Sequence, residues 1–149
     1  MLEATSKWLE DDQVLSIEAE ISELGDPVAR LATGVLLWLK KAQSDPAWRA
    51  FTARVRQHGR LVERQLTGDL RAGLRSGAFS FPSLQAARDL VAGTLREAMI
   101  RMTEGRVPKT YAADVARVVP RGLGLEPRRV ETILARPLPK MRRTPRTVA

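Results

Sequence analysis

The sequence has no cysteine and one histidine, His58, which excludes disulfide frameworks, thiol nucleophiles and Cys/His zinc sites by count. Aromatic residues make up only 5% of its 149 positions. Its longest apolar run, residues 31–39, is broken by Thr33 and Gly34 and flanked by Arg30 and Lys40. It is about half the ~20 residues needed to cross a bilayer, so neither a membrane span nor a membrane partner is expected. The start, Met1-Leu2-Glu3-Ala4, has no basic leader ahead of an apolar stretch, so no secretory signal is expected. The lack of cysteine fits a cytoplasmic location. Walker and dinucleotide loops are missing, as are a Gly-x-Ser-x-Gly elbow and a His cluster. The expectation is a protein that is not an enzyme and has no catalytic residue, no metal and no cofactor.

What is present is charge, unevenly divided. Residues 1–26 hold eight acids and one base, a net −7, and the remaining 123 residues carry +15 of the overall +8. Arg64, Arg71 and Arg75 recur at helical spacing among aliphatics, the pattern of a solvated helix face. The alternative is a basic helical protein that binds nucleic acid nonspecifically. Paired acids such as Asp11-Asp12 stand on the polar side of a helix, without the histidine or glycine turn a metal or acid/base site would need.

Alternating β-branched runs are absent, and i, i+3, i+4 apolar spacing recurs between Gly and Pro punctuation, which makes the chain all-α, with about six to seven helices. Thr5 or Ser6 can cap a first helix to Leu24. Asp26-Pro27 opens a second, with Val28, Leu31, Val35, Trp38 and Leu39. Leu36 and Leu37 make that helix apolar nearly all round, so it belongs at the centre. Asp45-Pro46 opens a third, to about His58. A fourth runs from Arg60 to about Arg75, with Val62, Leu66, Leu70 and Leu74 forming one stripe. Ser83 caps the longest helix, 84–104, which Gly105 ends. A helix from about Thr110 runs into Pro120, where proline should kink or end it near Val119, and a last one follows Glu126-Pro127. The tail 140–149 is basic and, with the prolines just before it, is expected to be disordered.

Four stretches then carry a family resemblance: Asp45-Pro46-Ala47-Trp48-Arg49-Ala50-Phe51; Asp69-Leu70-Arg71-Ala72-Gly73-Leu74-Arg75-Ser76-Gly77-Ala78-Phe79; Asp89-Leu90-Val91-Ala92-Gly93 with Ala98-Met99; and Gly122-Leu123-Gly124-Leu125 ahead of Arg136-Pro137-Leu138-Pro139. In order and spacing they resemble the C-terminal, ligand-binding and dimerisation domain of TetR-family transcriptional regulators, over about residues 5–139. The resemblance implies a regulatory domain over 1–139, a homodimer joined by helices 84–104 and 110–121 as a four-helix bundle, and a small-molecule effector of unidentified structure, with hydrophobic character expected. Family members begin with a helix-turn-helix domain ending in Gly-Val-Ser and Tyr-x-x-Phe patterns, and nothing like it precedes Thr5. Operator DNA is thus expected as a partner only through that N-terminal domain, this chain being a fragment of a longer regulator or a regulatory half on its own.

Core packing is the plain reading of the few aromatics, and a cavity wall is the other. The pocket expected from the resemblance and the all-round apolar second helix has Trp38, Phe51, Gln65 and Met99 among its walls. For His58 a surface position at a helix end stands against a polar contact in that pocket. The expected dimer face includes Leu90, Gly93 and Val115, with Ala86, Ala87 and Ala92 as further small positions that let helix axes approach.

Overall fold

A computed structural model describes residues 25–54 and 60–138. The expected first helix, His58 and the tail 140–149 lie outside the described residues. Within them the chain is all-α, with helices α1 (Pro27–Ser44), α2 (Pro46–Arg54), α3 (Arg60–Arg75), α4 (Leu84–Glu104), α5 (Tyr111–Gly122) and α6 (Pro127–Leu134).

Helix α1 starts where its cap dictates. The Asp26 carboxylate accepts a hydrogen bond from the Val28 N–H at 3.0 Å, and Pro27 occupies the first turn, where a missing donor costs nothing. Buried residues occur on every side of α1, including Val28, Leu31, Leu36, Leu37, Trp38 and Leu39, and the helix packs against all five others. The apolar pattern therefore does what it implies: a helix with no polar face becomes the axis of the core. Each fully buried Leu or Val contributes about 1.5–3 kcal/mol relative to exposure. The second Asp26 oxygen accepts from Arg129 Nη2 at 3.1 Å, tying α6 to the start of α1.

Asp45 and Ser83 repeat the device. Asp45 accepts from Trp48 N–H at 3.0 Å and begins α2; Ser83 accepts from Ala86 N–H at 3.2 Å and begins α4. Between α3 and α4, Gly77 takes a left-handed φ of +78° and turns the chain so that Phe79 folds back under α3. The Phe79 N–H donates to the Gly73 carbonyl at 3.0 Å, and its ring is 2% exposed. The next residue, Ser80, donates from its N–H to the Leu123 carbonyl, pinning the loop to the end of α5. Gly124 makes this approach possible: its φ is +92°, and a Cβ there would sit 2.7 Å from Ser80 N.

Two details depart from the sequence reading. Helix α5 does not stop at Val119 but continues through Pro120 to Gly122. Proline's fixed φ suits a helix, and its missing donor removes one backbone bond, the one to the Ala116 carbonyl. The Leu123 N–H then closes the turn by donating to both the Val119 and Pro120 carbonyls, and the proline ring is buried. The second departure is Leu74, which is 44% exposed although Leu70 is fully buried. Steps of four residues advance by roughly 40° around a 3.6-residue helix, so a stripe centred on Leu66 and Leu70 has drifted off the core by Leu74.

Candidate functional site

Where α2, α3 and α4 pack on the apolar α1, the described residues leave a sizeable gap. A cavity of about 570 Å³ lies among α1, α2, α3 and α4. Its apolar wall is built from Leu31, Val35 and Trp38 of α1, Val62 and Leu66 of α3, and Val91, Leu95 and Met99 of α4. The Trp38 ring is fixed by an edge contact with Trp48, with centroids 5.2 Å apart and planes at 70°, a favoured arrangement of two aromatic quadrupoles.

Polar groups gather on one part of the lining. Arg30 of α1 donates from Nη2 to Asp69 of α3 at 3.1 Å, a pair whose side chains are only 26% and 11% exposed. Arg88 of α4 approaches Glu63 of α3 at 3.8 Å. Arg30 Nε is fully enclosed and has no hydrogen-bond partner. Thr52, also in the wall, turns its hydroxyl back to the Trp48 carbonyl at 2.8 Å, so it presents mostly its methyl. Gln85, Asp89 and Gly93 line the cavity and are exposed, and mark its open side.

Of the residues expected at a pocket, Trp38, Gln65 and Met99 meet at this cavity. Phe51 is on α2, but its side chain is outside the described residues, as is all of His58. Of the expected dimer face, Leu90 is 37% exposed, whereas Val115 is 9% exposed and packs in the protomer's own core. The exposed apolar residue of α5 is Val118, at 63%. Gly93 stands at the cavity mouth, with no atom within 4 Å of where a Cβ would be. The sequence reading did not single out Arg30, Asp69 or Arg88. The available signal was an arginine and an aspartate within otherwise apolar stripes, but nothing in the sequence pairs residues 39 positions apart.

Among the described residues no group of three or more His, Asp or Glu side chains is placed to hold a metal ion. In that same set, no helix is long and apolar enough to cross a membrane.

A scan against protein-family models and a search of the curated proteins both find no match for this chain. Solved structures do match. The structure of RolR in complex with resorcinol superposes with a TM-score of 0.76 at 20% identity, covering 95% of this chain and 72% of RolR. RolR without ligand gives 0.72 at 18% identity, covering 95% of this chain and 75% of RolR. The described residues therefore share the RolR fold.

Proposed function

We propose that this chain is the effector-binding and dimerisation domain of a TetR-like transcriptional regulator, and that the cavity beside Trp38 holds a small, largely hydrophobic effector. The observation that carries this is the 570 Å³ cavity among α1 to α4 of a fold shared with RolR, a protein solved with resorcinol bound. Ligand sites are typically concave, about 300–1,000 Å³, mostly apolar and supplied with a few convergent polar groups. The cavity between Trp38 and Met99 meets each condition.

Dimerisation is supported by the outer face of α4 and α5. Leu90 and Val118 are two of the three large hydrophobic residues exposed among the described residues. Gly122 lies against Leu90, where a Cβ would come within 3.0 Å of the leucine's Cδ2, so the two helices meet closely under that face. A second copy would cover these side chains. Sequence-specific DNA contact belongs, in this reading, to an N-terminal helix-turn-helix domain of the whole regulator.

Thermal-shift screening of the full chain against hydrophobic small molecules tests the proposal. A ligand present at about 100 times its Kd stabilises the fold by roughly 2.7 kcal/mol. Met99→Trp, which pushes a larger ring into the cavity from its wall, should weaken the shift for the same compound. A shift unchanged in Met99→Trp, or a library with no stabilising compound, contradicts the reading.

A further inference from the structure

The described residues of one protomer leave the cavity open along α4. Gln85, Asp89 and Gly93 line it and are exposed, so a ligand seated between Trp38 and Met99 keeps part of its surface in water on that side. Sites for small ligands bury about 70–90% or more of the ligand's surface. Each further ~50 Å² of apolar ligand surface taken from water strengthens binding about tenfold. Whatever covers the opening therefore takes part in binding.

The place of the opening on α4 decides what can cover it. Successive residues turn by about 100° around a helix. On one side of Leu90 this puts Ala87 and Val91, both 3% exposed. On the other side it puts Gly93, about 60° round, and Asp89, about 100° round. Exposed Leu90 thus stands between the buried side of α4 and the cavity mouth, and Gly93, three residues on, is its neighbour on the helix surface. A surface that covers Leu90 reaches Gly93, and one that reaches Gly93 stands on the rim. Glycine is a poor helix former, yet Gly93 lies inside a 21-residue helix with no atom within 4 Å of where a Cβ would be. A helix of another molecule can approach closely there.

The occupant that fits is a second copy of this chain. Asp89 is exposed beside Leu90 on α4, and Arg121 is exposed three residues from Val118 on α5. A two-fold axis that lays α5 of one copy along α4 of the other covers Leu90 with Val118 and brings Arg121 toward Asp89, twice over, because in an isologous contact each patch meets the other.

We infer that the effector site is completed by the second copy, which closes the mouth at Gln85, Asp89 and Gly93, so that ligand binding and dimerisation strengthen each other. This rests on the effector-binding and dimer readings above and adds the coupling between them.

The probe for the test is N-phenyl-1-naphthylamine, an uncharged dye whose fluorescence rises in apolar surroundings. The full chain is titrated with dye above and below its dimer dissociation constant, and its dimerisation is measured by sedimentation with and without saturating dye. The dimer should bind the dye about tenfold more tightly per site than the monomer does. Coupling is reciprocal and each dimer holds a site on either copy, so saturating dye should tighten dimerisation by the square of that factor, about a hundredfold. Val118→Glu, kept monomeric, should show the weaker dye affinity at every protein concentration. Should that variant fail to fold, the dilution series on the unaltered chain reads the same ratio. A dimer that binds the dye no more tightly than the monomer, and that saturating dye does not tighten, overturns the shared site and leaves the cavity and dimer readings standing. A chain that stays monomeric at micromolar concentration in saturating dye overturns the dimer reading and this inference with it. If neither form binds the dye the inference fails, and the thermal-shift screen shows whether the effector reading fails too.

Discussion

Helix α3 carries two glycines for which the same substitution should have opposite effects. In an exposed helix interior, Gly→Ala stabilises by about 1 kcal/mol, because alanine restricts the unfolded backbone and suits the helix. Gly68 fits that case: it is exposed, and nothing lies within 4 Å of where its Cβ would be. Gly73 does not, because a Cβ there would fall on the Phe79 ring, 2.6 Å from Cε2 and closer still to Cδ2. That ring cannot step aside cheaply. It is 2% exposed, it stands beside Phe81 at a centroid distance of 6.5 Å, and its backbone is held to the Gly73 carbonyl. Overpacking of this kind costs about 1–3 kcal/mol. With so short a contact the upper end applies, and after the helix-propensity gain Gly73→Ala should be about 2 kcal/mol less stable than the parent. At about 2–4 °C per kcal/mol for a chain of this size, Gly73→Ala should melt roughly 4–8 °C lower and Gly68→Ala roughly 2–4 °C higher. Thermal unfolding followed by circular dichroism reads both. A Gly73→Ala protein that melts at or above the parent would refute the packing of Phe79 against α3.

Asp45→Ala should cost about 1 kcal/mol by removing the α2 cap. The Trp48 N–H, and to a lesser degree Lys41, hold the Asp45 carboxyl below the usual carboxylate range against an opposing effect of burial. A lowered native pKa stabilises above the unfolded value and is lost as pH falls through the native one. Urea titrations should therefore show the gap between parent and variant constant from about pH 6 to 8 and closing below about pH 4, and a gap unchanged at low pH contradicts the cap. On the proposed dimer face, Val118→Glu should convert a dimer to a folded monomer in light scattering, because a 63% exposed side chain bears little on the protomer's own fold; a monomeric parent at micromolar concentration would sink the dimer. In fluorescence anisotropy at about 150 mM salt this chain should prefer no duplex over scrambled controls, whereas a preference of about 10³-fold or more would show that it reads sequence itself.

Helix starts were the most legible feature of the sequence, because their physics is local. Asp26-Pro27, Asp45-Pro46 and Ser83 each place an acceptor beside orphan N–H groups, and all three open helices where they were read. The centrality of α1 was legible too, since Leu36 and Leu37 leave it no polar face. Pro120 was misread because the local cost of a proline, a lost bond to the preceding turn and a clash with its carbonyl, was weighed without the tertiary packing that buries the Pro120 ring and lets α5 close at Leu123. Trp38, Gln65 and Met99 were expected at a pocket from the apolar excess of α1 together with the family resemblance, and all three line the cavity. The Arg30–Asp69 pair could not be foreseen, because each residue alone reads as a solvated charge, and only the crossing of α1 and α3 buries them together.

The proposal that this domain senses a small molecule at the cavity among α1 to α4 is tested most directly by a crystal structure of the chain with the compound that stabilises it most. Electron density for the compound between Trp38 and Met99, with a polar atom within hydrogen-bond distance of Arg30 or Asp69, is the expected result. An empty cavity in crystals grown at a saturating concentration of that compound, with the compound seated elsewhere on the protein, would contradict it.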